Sequence, residues 1–243
     1  MPWLSRLVQV VAVGLYRLLE EAKGFSKPEI SGFRVGAVAV GESGTSYLGG
    51  NVEFRHQGLE HVIHAEEFAI TNAINHGERS ISHLAVSMAP CGYCRQIISE
   101  LAEASQLSIW ISPSKKPTDI DALLPSAFSP KDLGGRGRLL SEQAHELELV
   151  EVPEEAWRPL ADVALERANR SYAPYTRSPS GVALMLSCGK IVGGGYAENC
   201  AFNPSISPLK AAIVAVLSSQ QRLEDVEKLV LILQCEQRSA ALE

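Results

Sequence analysis

Apolar residues at Leu15, Leu18 and Leu19 recur at helical spacing, and the pattern predicts an amphipathic helix from Trp3 to Lys23 that ends near Gly24. Phe33–Val40 is a valine-rich apolar run, as expected of a buried strand. Gly41-Glu42-Ser43-Gly44 then predicts a hairpin turn, with Ser46–Phe54 as the return strand. Ala65, Phe68, Ala69 and Ala73 carry helical periodicity through His64–His76, and Gly77 is the stop. Leu84–Met88 reads as a short strand, Cys91–Ala104 as a helix and Leu107–Ile111 as a strand. Strand, hairpin, helix, strand, helix and strand in this order predict an α/β fold.

From Ser112 to about Pro153 prolines, serines and the Gly134–Gly137 cluster mark a connector, in which Ala122–Leu124 and Leu139-Leu140 are the segments able to pack. Beyond it the first half recurs. Phe33–Val38 is echoed by Ser178–Ala183, and Gly49–Glu53 by Gly194–Glu198. His64-Ala65-Glu66 is echoed by Pro208-Leu209-Lys210, and Leu84–Met88 by Leu229–Leu233. The expected organisation is a first domain over 1–112, a connector over 113–153 and a degenerate copy over 154–243. The copy has no Cys-x-x-C, and Pro208 and Lys210 are expected where His64 and Glu66 stand, so it is not expected to bind a metal as the first half could. Gln234–Glu243 is polar, so the copy is expected to be incomplete, with Leu229–Leu233 as an exposed edge.

Composition narrows the class. Of 243 residues, 46% are hydrophobic and 21% charged, the balance of a soluble globular protein. A formal net charge of −6 disfavours nucleic-acid binding, and Lys115-Lys116 and Arg136–Arg138 read as solvated surface rather than a basic patch. No stretch approaches the roughly 20 apolar residues of a membrane helix. Arg6 followed by Leu7–Tyr16 imitates a short signal peptide, but Gln9 interrupts it and the leucine spacing continues past it, so a first helix is the better reading. The five cysteines are scattered and do not suggest a disulfide framework, which fits a cytoplasmic location with free thiols.

The chemistry lies in His64-Ala65-Glu66 followed by Pro90-Cys91-Gly92-Tyr93-Cys94. Either half alone is common; together, with an α/β core between them, they match the signature of zinc deaminases. Cys91 and Cys94 sit one turn apart at a helix start, where free N–H groups and the dipole favour thiolates. His64 opens another helix and gives a third ligand, leaving tetrahedral zinc a free fourth position, the arrangement of a catalytic site. A structural zinc knuckle would need a fourth ligand, for which His56, His61 and His76 are the candidates; His76 lies roughly 18 Å along its helix. Glu66 follows His64 too closely to need to ligate, yet it is near enough to take a proton from a water activated by the metal and deliver it to a cytosine ring. Its bland alternative is a charge favouring the helix start, which Glu67 could supply equally well. Asn51 and Glu53, two apart on a predicted strand, share a face and suit sugar hydroxyls, although an exposed polar strand face reads the same. Phe33 could stack on a pyrimidine or be a core aromatic.

With these motifs the sequence resembles the cytidine deaminase family, in particular its long form with a duplicated, inactive C-terminal domain found in some bacteria and in plants. Further stretches that carry the resemblance are Phe33–Ala37, Asn51–Phe54, Arg95-Gln96, Ala173–Ala183, Asn203–Ala211 and, in the connector, Leu124–Leu133. The resemblance implies a three-layer α/β/α sandwich around a mixed sheet, one zinc ion per chain on His64, Cys91 and Cys94, and Glu66 as proton shuttle. It also implies Asn51 and Glu53 on the ribose, Phe33 against the base, and the backbone of Ala65 and Ala89 on the pyrimidine edge. It further implies a homodimer whose sites are completed by the partner chain, acting on free cytidine and deoxycytidine in pyrimidine salvage. Two other readings stay open at this point: a catalytically impaired, zinc-stabilised dimer module, and a nucleotide or polynucleotide cytosine deaminase. The latter is disfavoured by an acidic chain with 6% aromatic residues.

Overall fold

Both faces of the first sheet are apolar, and each is covered by helix. In the computed structural model, which describes residues 2–114, 116–135, 138–151 and 153–234 (side chains from residue 10 onward), α1 spans Pro2–Ala22. Strands β1 (Gly36–Gly41), β2 (Ser46–Gly50), β3 (Ile81–Val86) and β4 (Ser108–Ile111) form a sheet in the order β2-β1-β3-β4. β1 runs antiparallel to β2 and β3, and β3 parallel to β4, so the sheet is mixed. The period-two alternation of a strand sends Val38 and Ala85 to one face, where they pack with Trp110 against Ala12, Leu15, Leu19 and Ala22 of α1. Ala37, Ala39, Leu84 and Val86 face the other way, onto Ala65, Ala69 and Ala73 of α2 (Ala65–Asn75) and Ile97 and Ile98 of α3 (Gly92–Ser99). Helix, sheet, helix make the expected three layers.

The connector packs as its leucines suggest: Ile120 of the short α4 (Ile120–Leu123), Leu139 and Leu140 are buried in the same core. The second copy repeats the plan with fewer strands. α5 (Arg158–Asn169) and α6 (Pro208–Ser218) cover opposite faces of an antiparallel sheet, β6-β5-β7, made of β5 (Ser180–Leu186), β6 (Ile191–Gly195) and β7 (Val226–Leu233). Close backbone approaches recur at matching sites. A β-carbon on Gly36 would lie 2.6 Å from the Leu19 carbonyl oxygen of α1, and one on Gly181 would lie 2.3 Å from that of Ala164 in α5. Leu84 and Leu229 occupy the same register position, opposite Ala39 and Leu184. As expected, β7 is an edge strand of the described sheet; in addition one face of it is open, with Leu229, Leu231 and Leu233 about half exposed, while Val230 and Ile232 pack toward α5.

Four elements differ in their bounds from the periodicity; β3 is Ile81–Val86 rather than Leu84–Met88, and the other three have a visible cause. β1 starts at Gly36, not Phe33, because the Asn51 side chain accepts from Val35 N–H and donates to the Phe33 carbonyl, both at 2.9 Å, in place of a strand neighbour. β2 stops at Gly50, after which Val52 makes single bridges to Lys27 and Ile63. α3 stops at Ser99, short of Ala104, because Glu100 is fully buried among Tyr172 Oη, Tyr175 Oη and the Cys200 N–H, and Ala102 N–H donates to Leu139. Lys116 and Arg138 are exposed, while Lys115, Arg136, Gly137 and the tail from Cys235, with the expectation for the end of the copy, lie outside the described residues.

Candidate metal centre

His64 is the residue that caps α2, and Cys91 the residue that caps α3. Two helix starts therefore converge, and their first turns carry the donors. One ligand atom each from His64, Cys91 and Cys94 lies within 4.8 Å of the others. Cys91 Sγ stands 3.6 Å from His64 Nδ1. Cys94 is buried, His64 half-buried and Cys91 exposed, so the cluster is open on one side. A histidine nitrogen and two sulfurs suit tetrahedral zinc, with distances that a bound ion would draw closer. Among the described residues no fourth His, Cys, Asp or Glu joins them. His76 instead bonds the Asn72 carbonyl through Nδ1 and packs on Tyr47, and His61 faces Glu60. A structural, fully ligated site has no fourth ligand here.

The two thiols titrate as one unit. Contact with the Cys94 thiol and then the His64 ring pulls the Cys91 thiol down to about 3. Its hydrogen bond to Cys91, and then burial, hold the Cys94 thiol well above the usual range. His64 is raised, first by its bond to Cys91. Two thiols gathered against one imidazole are a donor set that a divalent metal would stabilise as thiolates. Glu66 is 5% exposed, and burial raises its carboxyl above the usual range. Its neighbours there are His64, Cys91 and Cys94. Glu67 takes the helix-start role instead, its Oε2 accepting from the His64 N–H at 3.2 Å. That leaves Glu66 free to face the thiols.

A family model described as the cytidine and deoxycytidylate deaminase zinc-binding region matches residues 14–109, and a second model of the same description matches residues 120–242. The chain is similar to the cytidine deaminase of Aliivibrio fischeri, 42% identical over 88% of this chain and 70% of that protein. It is also similar to that of Haemophilus influenzae, at 40% over 88% and 71%. The chain belongs to the cytidine deaminase family of zinc-dependent enzymes. A solved cytidine deaminase from Burkholderia pseudomallei is 30% identical, covering 47% of this chain and 97% of its own, with a TM-score of 0.42. No helix among the described residues is long and apolar enough to cross a membrane.

For a cytidine deaminase the remaining expected residues stand as follows. Asn51 is buried, and its amide donates to Glu53 Oε1 at 3.2 Å, so the two residues do meet. Glu53 is occupied by the loop before β1: Oε2 accepts from the Ile30 and Ser31 N–H groups, both at 2.8 Å, and Oε1 from Ser31 Oγ at 2.6 Å. Phe33 is 54% exposed on that same loop, which rules out the core reading. Ala65 is buried at the start of α2 and Ala89 is exposed just before Cys91.

The second copy needs a correction of register. Ser207 caps α6 as His64 caps α2, so Ser207 matches His64, Leu209 matches Glu66 and Lys210 matches Glu67. The sequence echo places Pro208 and Lys210 opposite His64 and Glu66, but the loop between the bridged residues Ala197 and Ile206 is shorter than that between Val52 and Ile63, which shifts the match. Neither Ser207 nor Leu209 reproduces the first site. Two residues take roles that the sequence does not predict: Tyr93, whose ring stacks on His64 with centroids 5.1 Å apart, and Lys210, which reaches into the first copy. Tyr93 stands between the two cysteines, and that position was the one available signal.

Proposed function

We propose that the protein hydrolytically deaminates cytidine and deoxycytidine to the uridine forms and ammonia, with His64, Cys91 and Cys94 holding one zinc ion per chain. The observation that carries this reading is the convergence of these three donors, open on one side, beside a buried Glu66. Zinc held there would act as a Lewis acid that activates water at near-neutral pH. Glu66 moves the protons: it accepts one from the attacking water and passes it to N3, then takes the second from the hydroxyl added at C4 and passes it to the amine, which leaves as ammonia when the C4–N bond breaks. Burial favours this shuttle, because it brings the carboxyl's proton affinity closer to that of the groups it serves. Asn51 and Glu53 hold the sugar hydroxyls, Phe33 lies against the base, and the backbone of Ala65 and Ala89 meets the pyrimidine edge. The working unit is a cytoplasmic homodimer with no nucleic-acid or membrane partner, in which the partner chain completes each site. Residues 1–112 form the catalytic domain, 113–153 the connector and 154–243 the degenerate domain.

The test is a metal count together with an absorbance assay of cytidine loss. About one zinc per chain is expected, with turnover on cytidine that Glu66→Ala lowers by about 10²–10⁴-fold. Equal background ammonia release by wild type and Glu66→Ala would reject catalysis in favour of a zinc-stabilised dimer module. Turnover of dCMP or single-stranded DNA in preference to cytidine would reject the nucleoside assignment. A monomer in sedimentation analysis would reject the dimer.

A further inference from the structure

Lys210 belongs to α6 of the degenerate copy, yet its ammonium is surrounded by the elements that carry the candidate metal centre. Its Nζ donates to the Val62 carbonyl at 3.0 Å and lies 3.3 Å from Glu67 Oε1 and 3.5 Å from Tyr93 Oη. Nζ also stands 5.7 Å from the centre of the Tyr93 ring. The Lys210 and Glu67 side chains are 13% and 1% exposed, so water hardly screens the pair. Glu67 in turn has two tasks: Oε2 accepts from the His64 N–H, and Oε1 accepts from Tyr93 Oη, each at 3.2 Å. Tyr93 stacks on the His64 ring at an interplanar angle of 27°. One carboxylate therefore grips His64 through its backbone and, by way of Tyr93, through its ring.

We propose that Lys210 is a positioning residue for the metal centre, supplied by the copy that has no such centre of its own. It neutralises Glu67, so that this carboxylate can hold the His64 backbone and the Tyr93 hydroxyl together and fix the plane of the ligating imidazole. The inference rests on the assignment of His64, Cys91 and Cys94 as zinc ligands. A ligand's orientation is normally set by groups behind it, and their loss weakens metal binding about 10–100-fold. Removing Lys210 leaves a carboxylate buried without its counter-charge directly behind His64. A plain staple between the copies would give different consequences, since it would affect unfolding and not the metal.

The experiment compares the zinc-loaded wild type with Lys210→Met and with the neutral pair Glu67→Gln plus Lys210→Gln. Zinc transfer to a colorimetric chelator is timed, kcat and KM for cytidine are measured, and the metal-free proteins are melted. Lys210→Met is expected to release zinc at least about 10-fold faster and to lower kcat more than it raises KM. The neutral pair, which leaves no stranded charge, is expected to release zinc within about 3-fold of wild type. Should Lys210→Met fail to fold, Lys210→Gln alone, which keeps a donor for Val62, carries the same expectation. Wild-type zinc release in the single variant overturns the proposal. So does a neutral pair no better than the single variant. A wild type that binds no zinc overturns the functional reading itself and this inference with it.

Discussion

Among the described residues the two copies share a carboxylate clamp but not a cluster of metal donors. In the first, Glu53 accepts from the Ile30 and Ser31 N–H groups and the Ser31 hydroxyl, and Ser31 Oγ accepts from Phe33 N–H. In the second, Glu198 accepts from the Tyr175 and Thr176 N–H groups and the Thr176 hydroxyl, and Thr176 Oγ1 accepts from Ser178 N–H. The same knot is tied at the same place where Ser207 and Leu209 replace His64 and Glu66. The clamp thus belongs to the fold: it closes the loop between the first helix and first strand of each copy. Any hold of Glu53 on a sugar is an addition to that duty. The metal donors that set the first copy apart lie at two helix starts, those of α2 and α3.

That division is most severely tested at Glu66 and its counterpart. Glu66→Gln keeps the shape and removes the proton acceptor, so kcat for cytidine should fall about 10²–10⁴-fold with zinc content unchanged. Leu209→Gln at the matching position, 44% exposed, should leave kcat within about 2-fold. Comparable losses in both would mean that the chemistry is not confined to the first copy.

The clamps give the next effect. Glu198 is 3% exposed, and Glu198→Ala removes three hydrogen bonds to a buried carboxylate. A loss of about 2–3 kcal/mol in urea unfolding is expected, with no change in KM. Glu53→Ala, at a half-buried site, should lose less stability, about 1 kcal/mol, but raise KM for cytidine. Unchanged KM in Glu53→Ala would reduce that residue to its clamp.

Much of this could be read from the chain because it is local. Helical spacing located α1 and α2, and the short apolar runs located β3 and β4. The donors followed from two motifs, each of which lies at the start of a helix. What escaped was set by distant partners. β1 lost its first residues to the side chain of Asn51, and α3 lost its last to Glu100, whose partners lie in the other copy. Glu67 and Lys210 are 143 positions apart, and each reads locally as an ordinary charge in a first helical turn. Their pairing exists only because the two copies set α2 against α6, and no period within either helix records it.

The smallest expected effect concerns what capping with a metal-binding histidine means for a helix. In the second copy Ser207 Oγ accepts from the Lys210 N–H at 3.2 Å, an ordinary N-cap bond. In the first, the capping position is held by His64, whose ring is turned to Cys91, and Glu67 compensates from the other direction by binding the His64 N–H. Ser207→Ala should therefore lower the thermal midpoint by an amount equivalent to about 1 kcal/mol and leave the zinc content untouched. The two readouts separate two roles of one helix start. If the cap only braces α6 and Lys210 keeps its place without it, the melt alone moves. If zinc release also quickens, then the cap that orients Lys210 reaches the His64 side through Glu67, and the copies are coupled more tightly than their separate sheets suggest.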